Sequence, residues 1–158
     1  MPFVLKHQNK EFLLNLQINP RITEEKSEGN IVTKRKSQPD HDGMVIAVIK
    51  YIKENGHSNV NADIPNYNQP EMLHWKGQKD GHIPDITSVR GDESFIFEIE
   101  TADSISHSHT EDQWKLFSAS ASLNSKSFVI VIPKDSKKEA ENRAQELNLA
   151  LYEIWTVG

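Results

Sequence analysis

The chain has 158 residues, 36% of them apolar and 26% charged, with a formal net charge of −5. This length suits one domain around a single core, and no apolar run approaches the roughly twenty residues that a membrane helix needs. With no cysteine, disulfides and thiolate metal sites are excluded. The opening Met1-Pro2-Phe3-Val4-Leu5-Lys6 lacks the apolar core of a signal peptide, so a cytoplasmic location is the default expectation.

The first 37 residues give the weakest signals and read as an N-terminal extension of uncertain structure. The segment 11–18 fits a helical turn or a strand, 23–30 is polar and reads as a loop, and 31–36 alternates as a strand would. A helix is predicted over 42–55, capped by Asp40 or Asp42, with Val45, Ile46, Val48, Ile49 and Ile52 as its apolar stripe and Asn55-Gly56 as its stop. A short strand follows over 59–64. A long loop to Asp80 carries Tyr67, Leu73 and Trp75, apolar residues that need a surface or a ligand to pack on.

Two strands are predicted over 83–90 and 94–101, joined by Arg90-Gly91-Asp92-Glu93 as a hairpin turn. Alternation places Phe95, Phe97 and Ile99 on one face and Ile96, Glu98 and Glu100 on the other. Carboxylates are costly to bury without compensation. Across the hairpin, Asp85 is brought toward Glu98. Acids converging from neighbouring strands repel one another unless a cation sits among them, and a hard, oxygen-ligated ion such as Mg²⁺ suits them.

Beyond the hairpin, Thr110-Glu111-Asp112-Gln113 has the form of a capping box and opens a helix over 111–123. The run 127–133 is continuously apolar, as in a strand covered on both faces. Ser136-Lys137-Lys138-Glu139 forms a second capping box, with a helix to about Asn148, and 149–155 reads as a last strand. The order from residue 42 is helix, three strands, helix, strand, helix, strand. Strand–helix–strand crossovers require parallel neighbours, so the expected fold class is α/β: a single domain with a central mixed sheet flanked by helices.

Pro84-Asp85, a gap of thirteen positions, and then Glu98-Ile99-Glu100 resembles the PD-(D/E)XK nuclease superfamily, with its restriction-endonuclease-like fold. The order of elements over about 44–155 agrees with that fold. The resemblance implies Mg²⁺- or Mn²⁺-dependent hydrolysis of phosphodiester bonds, with DNA as the expected partner and a homodimer where both strands are cut. It implies that Asp85 and Glu98 bind the metal. Glu100 stands where the family usually has Lys, a substitution that some active restriction endonucleases of this fold share; it would hold the ion or accept a proton from water. Gln113 falls where the family often places a Gln near the phosphate and the metal; the capping box is its alternative use. Lys76, Lys79 and Lys115 are the expected contacts to the substrate backbone. Lys115 lies two residues beyond Gln113, so the two side chains point about 200° apart on a helix.

The acidic net charge works against a polyanion unless cations cluster locally. Clusters stand at Lys34-Arg35-Lys36, at Lys76 with Lys79, and at Lys134 with Lys137-Lys138. Trp75, flanked by Lys76 and Lys79, combines an aromatic face with cations. His107 and His109 would share one side of an extended segment, a zinc-like pair without a third ligand. His82, His41, Asp42 and Glu54 are lesser candidates beside the same elements. The competing reading is a non-enzymatic module that keeps the fold and binds nucleic acid or protein after losing the motif's lysine.

Overall fold

The structure, a computed structural model, describes residues 38–158. The expectations for 11–18, 23–30 and 31–36, and the basic cluster Lys34-Arg35-Lys36, lie outside the described residues. Among those described, the elements are α1 (Gln38–Glu54), β1 (Ser58–Ala62), β2 (Ile86–Arg90), β3 (Glu93–Ile99), α2 (Ser108–Leu123), β4 (Ser127–Pro133), α3 (Lys137–Glu146) and β5 (Glu153–Val157), with one 3₁₀ turn at Lys134–Ser136 ahead of α3. This is the predicted α/β class. The strands form one five-stranded sheet in the order β1-β2-β3-β4-β5. The first three are antiparallel neighbours; β4 lies parallel to β3, and β5 parallel to β4.

Alternation along the strands divides the core in two. Phe95, Phe97 and Ile99 of β3 join Val129 and Val131 of β4 and the stripe Met44, Val45, Val48, Ile49 and Ile52 of α1. On the opposite face Ile96, Phe128, Ile130 and Ile132 meet Trp114, Leu116 and Phe117 of α2 and Ala140 and Ala144 of α3. β4 is therefore buried on both faces, as its unbroken apolar run requires. The β2–β3 turn is short: Arg90 pairs with Glu93, and Gly91 between them has φ 59°, the positive angle that primed hairpin turns demand.

Several boundaries differ from expectation for physical reasons. α1 is already helical at Gln38, so Asp40 and Asp42 lie inside it rather than capping it; Gln38 Nε2 donates to Asp42 Oδ1 at 2.8 Å, one turn apart. α2 starts at Ser108 with His107 as its N-cap, and no capping side chain bonds there. The Thr110 hydroxyl instead donates to the Ser104 carbonyl at 2.7 Å, so the first capping box does not form. Ser136 is the N-cap of α3 but makes no side-chain cap bond. The final strand begins at Glu153; Leu149 is buried just past the turn that ends α3, so its apolar character reflects packing and not strand pairing.

No helix among the described residues is long and apolar enough to cross a membrane.

Candidate functional site

The directions of the elements bring several ends together. β3, β4 and β5 run parallel, so their C-terminal ends share one edge of the sheet, and β2, antiparallel to β3, begins there. α2 and α3 each follow a strand that ends at this edge, so their N-termini lie there too. The positive ends of such helix dipoles favour negative charge.

Asp85 sits at this edge one residue before β2, whose ladder ends at the pair Ile86 and Phe97; Pro84 ahead of it has no N–H with which to extend the pairing. Side chains take over the pairing that the backbone gives up. Ile99 N–H donates to Asp85 Oδ2 at 2.8 Å, and Asp85 N–H donates to Glu98 Oε2 at 3.2 Å. Asp85 and Glu98 thus interlock across the gap between β2 and β3. The Asp85 carbonyl accepts the Asp63 N–H at 2.9 Å, which ties in the chain leaving β1. Asp85 Oδ1 has no hydrogen bond among the described residues. Glu98 is 1% exposed and Glu100 0%, so both carboxylates are held away from water. Glu100 continues the ladder, its N–H donating to the Val131 carbonyl at 2.8 Å, while its Oε2 accepts the buried hydroxyl of Ser104.

One of the lesser candidates in the sequence completes the group. His41, buried on α1, places Nε2 3.2 Å from Asp85 Oδ2 and Nδ1 3.1 Å from Asp42 Oδ1. A signal for it was present. Stepping back along the buried stripe from Ile52 through Val48 and Val45 by three or four residues arrives at His41. The helix expected over 42–55 does not include it.

Gln113 is 7% exposed on the sheet-facing side of α2, and its Oε1 has no hydrogen-bond partner among the described residues. With the capping box absent, its local alternative use disappears. A buried amide oxygen left unpaired is costly, which makes Gln113 an acceptor in search of a donor or a cation. Lys115 is on the opposite, exposed side, where Nζ donates to Glu111 Oε1 at 2.6 Å. That bond, with Arg143 at 3.0 Å from the other oxygen, holds the Glu111 carboxyl below its ordinary pKa. Lys115 therefore belongs to a surface ion network between α2 and α3 and is turned away from Gln113.

Lys76 and Lys79 are exposed in the loop between β1 and β2. Glu54 is exposed at the far end of α1, thirteen residues and roughly 20 Å along the helix from His41. The expected same-side pair of His107 and His109 does not occur, because His107 is the cap of α2 and His109 lies in its first turn. The His109 ring instead meets that of His82, centroids 5.1 Å apart. Burial, and then the neighbouring His109, lower the His82 pKa, with Asp112 acting the other way. Among the described residues no group of three or more His, Asp or Glu side chains is arranged to hold a metal ion.

Fold and site define an α/β protein with a mixed five-stranded sheet and a knot of buried acids at the end of its central strand. In comparisons with protein-family models, curated proteins and solved structures, the chain matches none.

Proposed function

We propose that this chain hydrolyses phosphodiester bonds in DNA with the help of Mg²⁺ or Mn²⁺, as an endonuclease of the PD-(D/E)XK type with Glu100 at the motif's last position. The observation that carries this reading is the interlocked pair Asp85 and Glu98, each carboxylate bonded to a backbone N–H of the opposite strand at the point where the ladder stops. Two further features support it. Glu98 near the end of β3 and Glu100 just past it are both buried, which brings two acids to one strand end. Asp85 Oδ1 and the buried Gln113 Oε1 make no hydrogen bond among the described residues, and both are hard donors of the kind Mg²⁺ prefers.

On this reading Asp85 and Glu98 hold the ion. When bound, the ion supplies an acidified water and neutralises charge on the phosphate. His41 orients the Asp85 carboxylate from behind, itself steadied by Asp42. Glu100 accepts a proton from the attacking water, its carboxylate fixed by Ser104. Gln113 positions the water or a phosphate oxygen. Lys76 and Lys79 contact the substrate backbone, and Lys115 contributes only where the duplex passes the outer face of α2.

Incubation of supercoiled plasmid and of single-stranded circular DNA with Mg²⁺ or Mn²⁺ tests the reading. Nicking that falls about a hundredfold or more in Asp85→Asn and in Glu98→Gln supports it. Cleavage unchanged by either substitution, or no cleavage with any divalent ion, defeats it.

A second reading is favoured by one observation: no set of three ligands for an ion is assembled among the described residues. It is a module that keeps the fold and binds nucleic acid or a protein without cutting. It predicts binding that is indifferent to divalent ions and to Asp85→Asn.

A further inference from the structure

Between Ala62 and Ile86 the chain makes a long excursion that begins and ends at the same sheet edge as the acids. Its middle is pinned. Leu73 and His82 form an isolated antiparallel bridge, bonded both ways at 2.8 Å. Leu73 packs against the core beneath α2. Gly81 lies so close to the Leu73 carbonyl that a Cβ there would come within 2.0 Å of it. From this closed neck projects a tip, residues 74–80, that is exposed throughout.

The tip presents Trp75 to solvent, 43% exposed, and among the described residues its indole makes neither a ring contact nor a hydrogen bond. An exposed tryptophan loses its apolar hydration cost only by finding a partner. Its charged neighbours in the tip are Lys76, Lys79 and Asp80, with His74 before it. A flat aromatic beside two lysines matches the base and the phosphate of a nucleotide, whereas a base stacked within an intact duplex shows no face to an indole. We infer that the 74–80 tip is a stacking platform for an unpaired base, so that the substrate is single-stranded nucleic acid or a duplex with a single-stranded gap, flap or end.

The inference rests on the nuclease reading for its placement beside the acids, and its test separates the two. Trp114 is fully buried and Trp155 nearly so, so quenching of tryptophan fluorescence by an oligonucleotide reports on Trp75. Full-length protein is titrated, with chelator and with Mg²⁺, with a single-stranded oligonucleotide of about twenty nucleotides, a size that covers one or more stacking sites, and with the blunt duplex of the same sequence. The expected result is quenching by the single strand, binding about tenfold or more weaker in Trp75→Ala, near-complete rescue in Trp75→Phe, and a much smaller effect of Trp75→Ala on the duplex. Absence of quenching, or equal single-strand affinity in Trp75→Ala and wild type, overturns the inference. Trp75-dependent binding without cleavage by any divalent ion leaves the platform standing and removes the nuclease. Cleavage that requires Asp85 but is indifferent to Trp75 does the reverse.

Discussion

His41 and His57 show how much the surroundings decide at the scale of one residue. Both are buried histidines. His41 sits between the carboxylates of Asp42 and Asp85, and its replacement would leave the Asp85 carboxylate with one orienting donor fewer. Residues that orient a ligand from behind typically matter by about 10- to 100-fold in metal affinity. His41→Ala is therefore expected to weaken Mn²⁺ binding by about that factor, with His41→Gln less affected; calorimetric titration with Mn²⁺ reads both. His57 lies toward the other end of β2, with Nδ1 2.7 Å from Ser88 Oγ and its ring against Phe95. Burial first, and then Arg90, lower its pKa, with Glu93 opposing. A base whose pKa is lowered by folding is more readily protonated in the unfolded chain. Its contribution to stability is full above the ordinary histidine value near 6.5 and is lost as pH falls from there toward the folded value. The melting temperature is expected to drop between about pH 7 and pH 5, and to drop less in His57→Gln. An equal drop in that variant would move the effect to His82, whose pKa is lowered as well.

Among the elements, agreement with the sequence was best where burial is uniform. The apolar run at 127–133 became Ser127–Pro133 without adjustment, because a strand covered on both faces has no polar position to blur its ends. Caps were legible in form only: Thr110 has the composition of an N-cap, yet the turn at 101–107 draws its hydroxyl to the Ser104 carbonyl. Such competition depends on where a loop folds, and local spacing carries no record of it. The neck of the 74–80 tip makes a sharper case. Gly81→Ala would force its Cβ against the Leu73 carbonyl, a backbone atom that cannot swing aside. A cost of about 1–3 kcal/mol is expected from such overpacking, measured by urea denaturation. The same variant is expected to bind single strands as weakly as Trp75→Ala if the bridge positions the tip.

At the scale of the whole fold, the sheet divides the apolar interior of the described residues into two bodies that share strands and no side chains. Ile52 belongs to the α1 side and Ile132 to the α2 and α3 side. Each Ile→Val change is expected to cost about 0.5–1.5 kcal/mol, and the double variant to equal the sum within about 0.5 kcal/mol. A clear departure from additivity in denaturation midpoints would show that strain passes through the sheet.

What the amino-acid order determined alone was periodicity: which stretches are helices and strands, that the two crossovers demand parallel neighbours, and that Asp85 and Glu98 face each other across a hairpin. These follow from side chains repeating every two or 3.6 residues along a backbone with few options. Only the tertiary structure decided that the ladder ends at Ile86 and carboxylates bond the opposite chain beyond it, that His41 closes on Asp85 from 44 residues away, and that Gln113 is buried while Lys115 is tied to Glu111. Those outcomes depend on how elements distant in sequence dock, and docking is set by the shape of the assembled core, which no local repeat encodes.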